Sequence, residues 1–243
     1  MEFFNKLKED FILCFVDDSR WKWLWDGLKN TMMITFFALL IGLVIGIVIA
    51  TIRSTFDKNR EEYKKKGGFF YFIWWIVNAI CNIYLTVVRG TPVVVQLLIC
   101  YFIVFASSRN GVAVAIFAFG INSGAYVAEI IRGGIMSIDN GQFEAGRSLG
   151  YNYVQTMIYI IIPQVFKAIL PTLCNEFIVL IKETSVAGYV GVVDLTKAGD
   201  RIRGVTFKAF LPLIAVALIY LVVVIILTRL VNVLERRLRK NER

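Results

Sequence analysis

The sequence predicts an all-α fold, a polytopic transmembrane helical bundle of five spans with the N-terminus outside and the C-terminus cytoplasmic. Three observations carry this. The chain is 58% hydrophobic and only 19% charged, with a mean hydropathy of +0.67, whereas soluble domains run near ~45–50% apolar and ~25% charged. The apolar excess is gathered in nearly charge-free runs, several of them reaching the ~20 residues that cross a bilayer. The net charge of +9 comes from basic residues clustered beside those runs, which fits membrane orientation rather than nucleic-acid binding.

The same composition narrows function. With 243 residues there is no room for a soluble catalytic domain beside the spans. Histidine is absent, and Cys14, Cys81, Cys100 and Cys174 have no metal-like spacing. Histidine acid–base chemistry and most zinc sites are thereby removed, and the thiols read as inert packing groups.

Residues 1–30 read as an amphipathic interfacial segment. Phe3, Phe4, Leu7, Phe11, Ile12 and Phe15 recur at near-helical spacing among charges, and Trp21, Trp23 and Trp25 follow where an aromatic belt would lie. The acidic residues and the long pre-hydrophobic stretch do not fit a cleaved signal peptide. Residues 31–230 form the membrane domain. Its first span, Thr31 to Ile52, carries Ala38, Gly42, Gly46 and Ala50 as a small-residue stripe for close helix approach, within the subunit or between subunits. Arg53 to Lys66 reads as a basic cytoplasmic loop.

Phe69 to Ala106 reads as a single span with excess length, interrupted at Gly90–Pro92. Proline removes a backbone donor and biases Thr91 away from helix. Irregular backbone at membrane depth must be buried in protein or line a wet cavity, so Arg89 and Thr91 are candidates for a pathway; the alternative for Arg89 is a side chain that snorkels to an interface or pairs structurally. Gly111 to Ile131 is crowded with small residues and carries Asn122, Ser123 and, towards its end, Glu129, which Arg132 can pair at i+3. Val165 to Ile181 is interrupted by Lys167, Pro171, Asn175 and Glu176, so it belongs in the bundle interior. Glu176 is either a contact for a cationic substrate, a partner for Arg89, or a structural hydrogen-bonding group. Lys182 to Lys208 reads as a polar outer connection, dipping back at Thr184–Val193. Ala209 to Leu230 is apolar all round and peripheral, and the basic tail 231–243 places the C-terminus in the cytoplasm.

Between the third and fourth spans lies a polar stretch at 139–163. Asp139 and Asn140 can cap a helix starting near Gly141, with Asp139 and Gln142 arranged like a capping box. Ala145 and Gly146 give that helix a bare face, Gly150 ends it, and a second, apolar helix runs to Pro163. It reads as a rigid knob on the cytoplasmic side.

The spacing Glu144-Ala145-Gly146, three residues, Gly150, nine residues, Ile160, one residue, Ile162-Pro163 resembles the EAA loop of permease subunits of ATP-binding-cassette importers. The family pattern has alanine where this chain has Gly146 and usually leucine where it has Ile162. RGTPVVVQL (Arg89 to Leu97), NSGAYVAEIIRGGI (Asn122 to Ile135) and NEFIVLIKETSV (Asn175 to Val186) are similar to the polar amino-acid uptake branch, of histidine, glutamine and arginine permease type.

The resemblance implies a type I importer permease in a bacterial plasma (inner) membrane. Glu144, Ala145, Gly146, Gly150, Ile160 and Pro163 would form the coupling element for the ATPase. Arg89, Thr91, Asn122, Ser123, Glu129, Asn175 and Glu176 are the substrate-pathway candidates. Implied partners are two copies of an ABC ATPase subunit, a second permease subunit (identical or paralogous), an extracytoplasmic amino-acid-binding protein, the lipid bilayer and the amino-acid substrate, with no nucleic acid. The chain has no GxxxxGK[ST] phosphate loop, so ATP and Mg²⁺ are expected on the partner ATPase, with no cofactor on this chain and no catalytic role. An ion-gradient-driven transporter or channel is the alternative, but such transporters often carry inverted repeats that are not apparent here, and it gives the loop no task.

Overall fold

In the computed structural model, residues 2–240 are described. Arg243 of the basic tail, and the side chains of Phe3, Lys66, Arg239 and Lys240, lie outside the described residues. The described chain is helical almost throughout, and five of its helical stretches are long and apolar enough to cross a membrane: Trp21–Lys65, Gly68–Gly90, Gly111–Ser137, Tyr153–Val190 and Phe210–Leu238. Over 69–106, where a single crossing is expected, one helix, Gly68–Gly90, is long and apolar enough to cross, and the shorter apolar stretch Val93–Val104 follows it.

The chain folds as two compact units: Met1–Ala38, Val93–Phe119 and Phe177–Leu230 form the first, and Leu39–Pro92, Gly120–Glu176 and Val231–Arg243 the second. In the first unit, α1 (Glu2–Phe11) leads through wide and tight turns into α2 (Trp21–Lys66). Lys208 Nζ lies 3.0 Å from Asp10, fixing the end of α1. The expected polar connection at 182–208 is instead a short 3-10 stretch, Thr184–Val190, followed by a packed helix, α9 (Leu195–Thr206). Leu195, Ala198, Ile202 and Thr206 recur at helical spacing, and the first three join Cys14, Leu24 and Val216 in one core. Asp194 caps α9, accepting from Thr196 N at 2.9 Å and Lys197 N at 3.1 Å. Thr31 Oγ1 accepts from Leu195 N at 3.1 Å. Helix α10 (Phe210–Lys240) packs Val216 into that core and exposes Leu213, Ile214, Leu218, Leu221, Val222 and Ile225 along one broad apolar side.

In the second unit the stretch read as a basic loop at 53–66 is helix, the continuation of α2. It has neither glycine nor proline, Glu61 and Lys64 pair at i+3 (2.9 Å), and the helix stops only at Gly67, whose φ of +125° suits glycine alone. The chain then reverses into α3 (Gly68–Gly90). Aromatic pairs zip the two: Phe56 with Tyr71, and Tyr63 with both Phe70 and Trp74. Helix α3 ends where expected. Thr91 is extended (φ −121°, ψ 147°), its Oγ1 donates to Val87 O at 2.8 Å, and α4 (Val93–Ile99) resumes beyond Pro92.

The small-residue stripe packs against the same subunit. A Cβ on Gly46 would sit 2.4 Å from Val127 Cγ1, and one on Gly42 3.1 Å from Gly124 N, both on α5 (Gly111–Ser137). Beyond α5 come α6 (Asn140–Ser148), α7 (Tyr153–Thr156), a wide π turn at Met157–Ile161 and α8 (Ile162–Glu183). Proline does not end the second helix as expected. Pro163 has no N–H and its ring crowds the carbonyl four residues back; the π turn just before it widens the helix there and lets it continue into α8.

Candidate functional site

The polar knob is built by four local devices. Asp139 starts α6, its Oδ1 accepting from Gly141 N at 2.6 Å. The expected capping box with Gln142 is not formed: the Gln142 side chain instead accepts from Gln164 Nε2 at 3.2 Å, tying α6 to the start of α8. Helix α6 ends in a Schellman arrangement, with Tyr151 N bonded to Gly146 O (3.0 Å) and Gly150 N to Arg147 O (2.9 Å). Gly150 holds φ +82°, which a side chain would strain. Asn152 and Gln155 then exchange side-chain and backbone bonds, both 2.9 Å, in the true capping box, which opens α7.

Underneath, Phe143 joins Ile135, Ile161, Val165 and Ile169 in a continuous apolar core. Keeping the Phe143 ring from water stabilises the knob by ~1.5–3 kcal/mol. Glu144 and Ala145 stay exposed, and Leu149 at the tip is 72% exposed. Gly146, expected on the bare outer face with Ala145, instead faces inward and is buried against Thr156. Ile160 is partly buried, and Pro163 is exposed.

Four of the pathway candidates, Arg89, Glu129, Ser123 and Glu176, fall in two clusters. In the first, Glu129 is shared by three guanidiniums: Arg53 at 2.5 Å, Arg132 at 3.6 Å and Arg89 at 3.9 Å. Arg132 also reaches Asp57 at 3.2 Å, and Arg89 lies 5.6 Å over the Tyr126 ring. Three guanidiniums thus face two carboxylates, and Arg53 Nε and Arg132 Nε are buried without an acceptor. In the second cluster, Ser123 Oγ donates to Glu176 Oε1 at 3.1 Å, both groups buried. Of the groups offered for Arg89 and Glu176, Arg89 has Glu129 beside it and Glu176 has Ser123. Asn122 is buried, while Thr91 and Asn175 are exposed.

A profile of the family described as binding-protein-dependent transport system inner membrane component matches residues 68–240. The chain belongs to that family. It is therefore an inner-membrane protein, and its fold is that of the type I importer permeases. Among curated relatives, the glutamine transport system permease protein GlnP of Escherichia coli (strain K12) is 39% identical over 169 residues, covering 68% of this chain and 77% of its own. The arginine transport system permease protein ArtQ of Bacillus subtilis (strain 168) is 40% identical over 174 residues, 70% of this chain and 77% of its own. A solved structure described as an amino acid ABC transporter with histidines superposes with TM-score 0.78 at 37% identity, covering 92% of this chain and 98% of that one.

Three residues of this permease's clusters were not singled out from the sequence. Arg53 and Asp57 read as loop charges, although their spacing of four puts them on one helix face once 53–66 is seen to be helical. Leu149 had a weaker signal, an apolar residue directly before the turn glycine of a polar segment.

Proposed function

We propose that this chain is the membrane-spanning permease subunit of an ATP-binding-cassette importer of polar amino acids, and that α6 is the coupling helix gripped by a separate ATPase subunit. The observation that carries the coupling role is the knob itself. It is capped at both ends, seated on its own apolar core, and presents Glu144, Ala145 and Leu149 outward. A protrusion this stiff passes a push from a soluble partner into α5 and α8, which a flexible loop would absorb. Gly146, Gly150, Ile160 and Pro163 shape the knob, and Glu144 with Leu149 offers a charge and an apolar tip to the ATPase cleft.

Two ATPase copies carrying ATP and Mg²⁺, a second permease subunit and an extracytoplasmic binding protein complete the assembly. The basic stretch at 53–66 and the basic end of α10 support a cytoplasmic knob, with the N-terminus outside and the C-terminus inside.

The relatives named for glutamine and arginine, and the neighbour holding histidines, support a substrate among the polar amino acids. All share an α-carboxylate. The excess guanidinium charge around Arg89 suits that group, and the partly exposed Arg89 side chain is the one positioned to meet it. Glu129, engaged by three arginines, is not available to a cationic side chain; any preference for one rests on Glu176, with Ser123, Asn122, Thr91 and Asn175 as further pathway groups.

The test is uptake into vesicles reconstituted with the partner subunits and with ATP enclosed on the side of the knob. Uptake should require hydrolysable ATP and withstand collapse of ion gradients. Uptake that persists without ATP and follows an ion gradient would contradict the importer reading.

A further inference from the structure

Helix α2 does not stop where its apolar span ends, and its extension touches the knob. Lys58 Nζ donates to Asn140 Oδ1 at 2.8 Å, at the first residue of α6, and lies 4.6 Å over the ring of Phe143 one turn later. On the same extension, Asp57 meets Arg132 at 3.2 Å and Arg53 meets Glu129 at 2.5 Å. Arg53 and Lys58 are five residues apart, about 7.5 Å along the helix axis. One rigid rod therefore contacts both the Glu129–Arg89 cluster and the start of α6. The rod is stiffened from its other side by the Phe56–Tyr71 and Tyr63–Trp74 stacks with α3.

We infer that the 53–66 extension of α2 is a brace that moves with the coupling helix, and that Lys58 is its positioning residue, setting α6 through Asn140 and Phe143. This rests on the coupling role proposed for α6. A lysine that only solvates the surface would have no need of both an amide oxygen and an aromatic face. Here the ammonium fixes the first turn of α6 at a side chain and at a core ring, so a displacement of α6 carries α2 with it. The same rod delivers that displacement to Arg53 and thence to Glu129.

The experiment uses the complete transporter reconstituted in proteoliposomes, reading substrate moved per ATP hydrolysed. Lys58→Met should retain the ATPase subunits on purification yet lower transport per ATP by about fivefold or more, the lower range of coupling between sites. Lys58→Arg, which keeps the charge and the ring contact, should restore most of it. Unchanged transport per ATP in Lys58→Met would overturn the brace. If Lys58→Met does not assemble, a second variant decides. Lys58→Cys with Asn140→Cys, in a chain whose four native cysteines are replaced, is bridged by a short bismaleimide. Bridging should restore the transport per ATP that the unbridged pair lacks, because the two positions then move together; transport abolished by bridging would show that they move apart and overturn the inference. Glu144→Arg run in parallel separates the two claims. Loss in Glu144→Arg with normal Lys58→Met removes only the brace, whereas normal transport in both removes the coupling role itself.

Discussion

Gly146 and Thr156 lie in direct contact across the knob: a Cβ on Gly146 would sit 2.6 Å from Thr156 Oγ1 and 2.7 Å from its Cγ2. The missing methyl at 146 and the branched side chain at 156 fill one volume between them. The pair accounts for glycine standing where the EAA pattern has alanine. Gly146→Ala should therefore overpack the knob, at a cost of about 1–3 kcal/mol, and lower the thermal midpoint of the purified permease. Thr156→Ala in the same chain should recover most of that loss. Equal stability of Gly146→Ala and the parent would show that the two helices part without penalty.

The Glu129 cluster separates structure from recognition. Glu129→Gln leaves Arg53, Arg89 and Arg132 facing one another with a neutral partner, so it should destabilise the permease by roughly 1.5–3 kcal/mol, the worth of hydrogen bonds to a charged group. Arg89 is 44% exposed, and Arg89→Gln should leave the melting profile close to the parent while weakening the substrate dependence of transport. Unchanged transport of every candidate amino acid in Arg89→Gln would assign that arginine to structure.

Ser123 and Glu176 form a buried polar contact in the second unit. Ser123→Ala removes a donor from a buried carboxylate, and Glu176→Gln removes its charge. If this pair meets the substrate, both should alter the relative uptake of basic and neutral amino acids. Unaltered selectivity in both would make the contact a packing device.

Asp194 supplies a prediction about pH. Burial raises its carboxyl above the ordinary Asp range, against the opposing hydrogen bonds from Thr196 and Lys197. The folded state thus holds the proton more tightly than the unfolded chain, so Asp194's own contribution to stability is greatest when it is protonated. That advantage is lost as pH rises from about 3.9, the ordinary value, through the raised one. Asp194→Asn keeps a cap and does not titrate, so its stability relative to wild type should climb across that window and then level off. Asp194→Ala loses the cap and should fall below Asp194→Asn by about 0.5–2 kcal/mol at any pH. A flat difference between wild type and Asp194→Asn would contradict the burial argument.

The spans were legible because runs of apolar residues leave one physical option in a bilayer. The break at Gly90–Pro92 was legible because proline cannot donate, and the end of α6 because Gly150 stood where a left-handed residue was needed. Charge misled at 53–66: basic residues mark a side of the membrane but do not unwind a helix, and only glycine at 67 does that. At 195–206 the polar residues masked the spacing of Leu195, Ala198 and Ile202, so a packed helix read as a connection. The pairing of Arg53 with Glu129 over a long separation, and Gly146's inward turn onto Thr156, depend on how the helices rotate about their axes, which a single sequence does not encode locally.

The coupling role of α6 is tested most directly at Glu144, exposed on the knob and outside the apolar core beneath it. The measurement is ATP-driven amino-acid uptake by the reconstituted transporter carrying Glu144→Arg, with membrane insertion of the permease checked in parallel. The account predicts a permease that inserts normally but loses its ATPase subunits or its ATP-driven uptake. Normal insertion together with full ATP-driven uptake would contradict it.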